Sequence, residues 1–367
     1  PRSTLFPYTT LFRSPQAELD AYFRQLEADQ KFSGVVRLTR NGEEQFAAAY
    51  GYASRAWKIP NSLSIRFDTA SITKLFTSVA VLQQVQAGHF DLHTSAVEYL
   101  GLKDTAIAPQ VQVHHLLTHT SGIADDADEE AGESYAQLWA TRPNYTVTQA
   151  RDFLPQFAFK PANFPPGTGC RYCNCAYILL GLMLEKATQT PYREYIQRHI
   201  FAPAQMDNSG FFHMGEVNPA VAEGSDPIWN DEQPIIGWHR NIYDYPPIGT
   251  PDGGAHVTAA DLERFLRSVQ EGQLLSAEMT QYFFTPQALH TQHADWKMMY
   301  GPGLWFYLKN DGEILFYEKE GENAGVSGLI RHYPAQGLSL VLLCNLQDAA
   351  WQPAAQIHHQ ILSGQFK

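Results

Sequence analysis

Two periods alternate along this chain. From Gln16 to Gln30 apolar residues return at helical spacing (Leu19, Tyr22, Phe23, Leu26), which predicts an opening amphipathic helix. Ser33 to Thr39 and Gln45 to Tyr52 flank Asn41-Gly42, a dipeptide suited to a turn with both φ angles positive, so a hairpin is expected. Leu75 to Ala87 is largely apolar and is followed by Gly88, which predicts a buried helix with a glycine stop. From 89 to about 250 the pattern breaks into short helical pieces and long loops, with clear helices only over Asn174 to Ala187 and Tyr192 to Phe201. Thr258-Ala259-Ala260-Asp261 starts a helix that runs from Leu262 to Gln270 and ends at Gly272. The last hundred residues turn β-rich in four segments, Gly303 to Leu308, Glu313 to Lys319, Val326 to Tyr333 and Leu338 to Leu343, before a final helix over Ala350 to Leu362.

That order predicts an α/β (α+β) fold. One antiparallel sheet is drawn from both chain ends and flanked by N- and C-terminal helices, and a large, mostly helical lobe is inserted. The expected sheet lobe covers about 15–70 and 255–367 and the helical lobe about 71–254, in a single domain over 15–367. The start of the Leu75 helix falls at the junction, where clefts are favoured. The proline-rich stretch 224–254, with Trp229, Trp238, Tyr243 and Tyr245, reads as a long loop forming a cleft wall.

Charge and composition narrow the function. With 38 acidic against 26 basic residues the net charge is −12, which disfavours general nucleic-acid binding. No apolar run is long enough to span a membrane. Cys170, Cys173 and Cys175 lie close together, but no second Cys/His pair of matching spacing follows, so buried thiols are expected and no metal or other cofactor. Residues 1–14, PRSTLFPYTTLFRS, lack acidic residues, an apolar h-region and a small-residue cleavage site. They read as a non-native leader and not as a signal peptide, which leaves localisation open.

Ser71 and Lys74 are three residues apart at the start of the buried helix, hence on one face about a turn from each other. A serine there has backbone N–H groups nearby, and a lysine one turn on can take its proton. Alone, Ser-x-x-Lys is a common pattern. Two further triplets change its weight: Tyr172-Cys173-Asn174 opening a helix, and Lys319-Glu320-Gly321 at the end of a strand. No serine has glycines at both flanking positions of a nucleophile elbow. His115 and His119 are four apart, but no glutamate follows His115 in the metalloprotease pattern and Gly122 interrupts any helix. The acidic run Asp125 to Glu130 lacks EF-hand spacing and reads as a solvated loop.

In this order the triplets resemble those of the serine β-lactamase and penicillin-binding-protein superfamily, in particular its class C β-lactamases and family VIII carboxylesterases. His115-Leu116-Leu117-Thr118-His119-Thr120-Ser121-Gly122, Pro166-Gly167-Thr168, Gly253-Gly254 and Leu342-Leu343-Cys344-Asn345 extend the likeness from about Phe32 to Asn345. The resemblance implies a serine hydrolase that works through an acyl-enzyme on a small-molecule or peptide substrate. Ser71 would be acylated, with Lys74 helping to deprotonate it. Tyr172 would serve as base in acylation and relay a proton to the leaving group. Asn174 would bind the acyl-side amide, Lys319 would supply positive charge, and the N–H groups of Ser71 and Glu322 would form the oxyanion hole. Gly321 would let substrate backbone lie against its strand.

Two positions depart from that pattern. Cys173 replaces a usual serine, with its side chain expected at the periphery. Glu320 stands where β-lactamases usually carry a hydroxyl that helps bind the substrate carboxylate, and Glu318, Glu320 and Glu322 are expected to surround Lys319. A substrate carboxylate would meet like charge there. The sequence therefore points to a small ester, a D-amino peptide or another neutral or amine-bearing substrate. A class C-like β-lactamase, a D-alanyl-D-alanine carboxypeptidase and a non-catalytic sensor or scaffold remain as alternatives.

Overall fold

The computed structural model describes residues 14–128, 131–230 and 235–366. Residues 1–13 of the expected leader lie outside these, while Ser14 caps helix α1 (Pro15–Ala28) by accepting from the Ala17 N–H. Strands β1 (Gly34–Arg40) and β2 (Glu43–Tyr50) pair Arg40 with Glu43. Between them Asn41 and Gly42 take φ of 49° and 83°, the turn the sequence predicts. Helix α2 (Lys74–Gln86) is the buried helix, α3 (Asn174–Thr188) opens after Tyr172, and α4 (Ala259–Gln270) is capped by Thr258. Six further strands follow: β3 (Ala288–Gln292), β4 (Trp296–Tyr300), β5 (Trp305–Lys309), β6 (Ile314–Asn323), β7 (Val326–Tyr333) and β8 (Leu338–Cys344). Helix α5 (Trp351–Leu362) ends the fold.

The eight strands form one antiparallel sheet in the order β2-β1-β8-β7-β6-β5-β4-β3, so the chain ends meet where β1 pairs with β8. In β8 apolar residues run without a break because both faces are covered. Leu340 and Leu342 pack under α1 and α5 with Leu19, Phe23 and Ile357, while Val341 and Leu343 face α2 and α4 with Phe76 and Phe265. Burial of such a strand is favourable by roughly 1.5–3 kcal/mol per large side chain relative to exposure. Helix α2 is enclosed by its neighbours, with Leu75, Phe76, Val79, Ala80 and Leu82 all buried.

Three expectations change. β3 and β4 join the sheet, and so does no segment of 224–254. β3 sits at the edge with Leu289, His290 and Gln292 exposed, so its sequence lacks the apolar alternation of an inner strand. A short helix over Ala277–Phe283 was also hidden. The 224–254 stretch is not all loop, since Ser225–Trp229 pairs with Ile235–Arg240 as a separate hairpin. Among the described residues no helix is long and apolar enough to cross a membrane.

Candidate active site

Ser71 lies in a single 3-10 turn, Ala70–Thr73, that feeds α2. The backbone reaches it through Ala70 at φ 41°, a conformation a residue with a Cβ rarely holds, fixed here by the Ala70 N–H donating to Asp68 Oδ1 at 2.7 Å. Thr69 and Thr73 tie the turn to Ala255, and Gly254 N–H donates to the Ala70 carbonyl. On its other side runs β6. A Cβ on Gly321 would sit 2.2 Å from the Thr69 carbonyl oxygen and 3.1 Å from the Ser71 nitrogen, so glycine is what lets β6 lie against the nucleophile turn. The N–H groups of Ser71 and Glu322 thereby belong to adjoining backbone stretches.

Lys74 is fully buried. Its Nζ donates to Ser71 Oγ at 2.9 Å, Asn174 Oδ1 at 2.7 Å and the Asp252 carbonyl at 2.6 Å. Burial brings its pKa down to about 8, against the opposing pull of Asp252 and Asp125. Tyr172 Oη donates to Ser71 Oγ at 2.7 Å. Burial holds that phenol well above its ordinary value, and the hydrogen bond to Ser71 opposes this only in part. That direction favours the protonated phenol in the free site. Lys319 is buried, with Nζ 4.3 Å from the Trp305 ring centroid and 5.1 Å from that of Tyr172. Burial first, and then Lys74, push its pKa well down.

Tyr172 rests on His119, ring centroids 4.5 Å apart at 30°. His119 is buried with φ 58°, accepts the Cys173 N–H on Nδ1, and is kept neutral by burial. His115 is elsewhere engaged, its Nδ1 accepting the Gln112 N–H at 3.2 Å, so the two histidines form no ligand pair. Cys173 is buried against the Ile123 and Ala124 carbonyls and does not line the cleft. None of the four cysteines forms a disulfide among the described residues.

The acidic run is the largest surprise of the site. Asp125 and Asp126 are buried, Asp128 is partly open, and Glu129 and Glu130 lie outside the described residues. Asp125 accepts the backbone N–H groups of Asn174 at 2.8 Å and Cys175 at 2.9 Å, so it caps the start of α3. Asn174 Nδ2 donates to Tyr135 Oη at 2.7 Å, which donates to Asp126 Oδ1 at 3.0 Å. Asp125, Asp126 and Cys175 bring one potential metal-ligand atom each within 4.8 Å of one another. With Asp125 occupied by helix N–H groups and burial holding the Cys175 thiol protonated, the set does not fit a metal.

The pleat of β6 corrects the picture of Lys319 as ringed by glutamates. Lys319 and Gly321 face Ser71, whereas Glu318, Glu320 and Glu322 point to the opposite side. There Glu318 pairs with Arg331 at 2.7 Å and Glu322 accepts from Gln347 at 2.9 Å. Glu320 reaches the cleft rim, and burial lifts its carboxyl to about 7 with help from Glu318. The cleft itself, of ≈ 620 Å³, brings together Ser71, Tyr172, Asn174, Lys319, Glu320, Gly321 and Glu322. Of the 224–254 stretch, Asp244, Tyr245, Pro246 and Asp252 to Gly253 line it, while Trp229 and Tyr243 are exposed away from it. Asp126, Tyr135, Trp305 and the Asp252 carbonyl were not legible as site residues, because nothing local distinguishes them.

Comparison with known proteins follows the same lines. The family model described as Beta-lactamase matches residues 19–363. The chain is 33% identical over 279 residues to "Esterase EstB" of Burkholderia gladioli, covering 69% of this chain and 70% of that protein. It is 26% identical over 325 residues to "Putative penicillin-binding protein PbpX" of Bacillus subtilis, covering 87% and 72%. The crystal structure of a penicillin-binding protein from Bacillus halodurans superposes with a TM-score of 0.84 at 34% identity, over 92% of this chain and 99% of that one.

Proposed function

Because the chain belongs to the beta-lactamase family and is a serine hydrolase, we propose that Ser71 carries the acyl group in hydrolysis of a small ester or an amine-bearing amide. The observation that carries this reading is Ser71 Oγ held between Lys74 Nζ at 2.9 Å and Tyr172 Oη at 2.7 Å. Neutral Lys74 takes the Ser71 proton as Oγ attacks the carbonyl carbon. The N–H groups of Ser71 and Glu322 receive the developing oxyanion. Tyr172 gives its proton to the leaving oxygen or nitrogen as that bond breaks, and the Lys74 ammonium returns a proton to Tyr172. Water then enters in place of the leaving group and the same transfers run in reverse, which frees the acid and restores Ser71. In its ammonium form Lys319, with Nζ 5.1 Å from the Tyr172 ring centroid, would favour the transient phenolate.

The lining supports a substrate without a carboxylate. Asp126, Asp244, Asp252, Glu320 and Glu322 border the cleft, against Lys319 as the one lysine or arginine among its described lining residues. A fluorophosphonate probe tests the nucleophile. It should label the wild-type protein and not Ser71→Ala, and wild-type hydrolysis of short-chain aryl esters should exceed that of a chromogenic cephalosporin. Equal labelling of Ser71→Ala would remove Ser71 from the mechanism.

A further inference from the structure

We propose that the cleft wall beyond Asn174, formed by Asp126, Tyr135, Trp139 and Phe153, binds a primary ammonium group on the acyl part of the substrate. This rests on the serine-hydrolase reading and specifies what that site takes. The wall lies on the acyl side because it continues from Asn174, through Tyr135 Oη at 2.7 Å to Asp126 Oδ1 at 3.0 Å, and the same cleft holds Ser71.

Asp126 is only 5% exposed, yet it lines the cleft. Its Oδ1 accepts the Tyr135 hydroxyl and the Ala127 N–H, and its Oδ2 has no hydrogen-bond partner among the described residues. The cations around it are committed elsewhere. Lys160 Nζ donates to the Asp125 and Asp126 carbonyls and to Glu133, Arg171 pairs with Asp128, and Lys74 serves Ser71, Asn174 and the Asp252 carbonyl. Burial, with Asp125 and Asp252 adding like charge, holds the Asp126 carboxyl well above its ordinary range. Burial without a positive partner favours the neutral acid, and an ammonium entering with the substrate would supply that partner and draw Asp126 into its carboxylate form.

The neighbouring surfaces suit such a group. Trp139 and Phe153 are buried aromatic side chains on the same wall, where a cation gains from the ring faces. The indole N–H of Trp139, 8% exposed, also has no partner among the described residues, so the wall keeps a donor for an oxygen carried beside the ammonium. A metal ion is a poorer occupant, since Asp125 and Cys175 are not free to ligate it.

Two matched pairs of esters test the site, methyl 3-aminopropanoate against methyl butanoate and methyl alaninate against methyl isobutyrate. Within each pair the ammonium is replaced by methyl. Asp126→Asn should lower the amine-to-alkyl ratio of kcat/KM by roughly tenfold or more in at least one pair, as expected when one partner of a buried charge pair is removed. An unchanged ratio in both pairs overturns the proposal. A second measurement needs neither turnover nor the variant. Propylammonium chloride should raise the melting temperature of the wild-type protein and of Ser71→Ala above that in equal potassium chloride. No difference between the salts, or the same rise with calcium or zinc chloride, overturns it. Full turnover by Ser71→Ala would sink the serine-hydrolase reading while leaving the ammonium shift in place, so the two failures are distinguishable.

Discussion

Lys74 Nζ lies 2.9 Å from Ser71 Oγ, and of its three hydrogen-bond partners Ser71 alone has a proton to give. The Asn174 and Asp252 oxygens are acceptors only, so they hold the ammonium form, and once Lys74 is neutral its lone pair can be used only toward Ser71. With Lys74 at about 8, kcat/KM for a neutral aryl ester should rise with pH through an apparent value near 8 and level off above it. Lys74→Arg keeps a cation that cannot deprotonate. It should lose roughly a hundred- to ten-thousand-fold in kcat/KM. A pH profile that is flat between 6 and 9, by the same reasoning about Lys74, would remove it as the base.

On the proposed mechanism Tyr172 protonates the leaving group, so its loss should depend on what is leaving. A p-nitrophenolate departs without a proton, whereas an alkoxide or amine does not. Tyr172→Phe should lower kcat/KM for a methyl ester by roughly a hundredfold or more and for a p-nitrophenyl ester much less. Steady-state kinetics on the two esters decides it, and equal losses would point to a structural role for the phenol instead.

Gly321 is set by packing and not by φ. A Cβ there meets the Thr69 carbonyl at 2.2 Å, an atom of the backbone that cannot swing aside. Gly321→Ala should cost about 1–3 kcal/mol by overpacking and displace β6 from the Ser71 turn. Thermal unfolding should show the loss of stability, and hydrolysis should fall further than the folded fraction does, because the proposed oxyanion donors, the Ser71 and Glu322 N–H groups, sit on the two displaced segments.

Much of this was legible in the residues, and the limits have physical causes. β1, β2, β5 to β8 and the buried α2 announce themselves through turn chemistry and apolar pattern, because each is covered on one or both faces. β3 and β4 do not, since His290 and Gln292 face water at a sheet edge. Ser71, Lys74, Tyr172, Asn174 and Lys319 could be named because their triplets are local in sequence. Their convergence around one cleft, with Lys74 buried behind Ser71, could not be seen before the fold closed. Asp126 and Tyr135 reach Asn174 from a run that composition alone marks as solvated, and their burial is a tertiary fact. The strand pleat was also misjudged. Period two alone places Glu318, Glu320 and Glu322 across the sheet from Lys319, and Arg331 was needed to show which of them keeps its charge unpaired.

Glu320 decides how the cleft treats an anionic substrate. Of the three glutamates on its side of β6, Glu318 is neutralised by Arg331 and Glu322 is held by Gln347. Glu320 reaches the cleft rim with no hydrogen-bond partner for its side chain among the described residues, and its pKa lies at about 7. Above that pH it is charged and repels a substrate carboxylate. Below it the protonated group repels nothing and can donate a hydrogen bond. Relative to a neutral aryl ester, turnover of a carboxylate-bearing cephalosporin should therefore improve as pH falls through about 7. Glu320→Thr should abolish that dependence and raise cephalosporin kcat/KM at pH above 7 by about fivefold, the effect of removing a repulsion of about 1 kcal/mol between charges in a solvated cleft. Using the ratio of the two substrates cancels the protonation of Lys74, which both share. If the ratio is independent of pH in the wild-type protein, Glu320 does not set the preference.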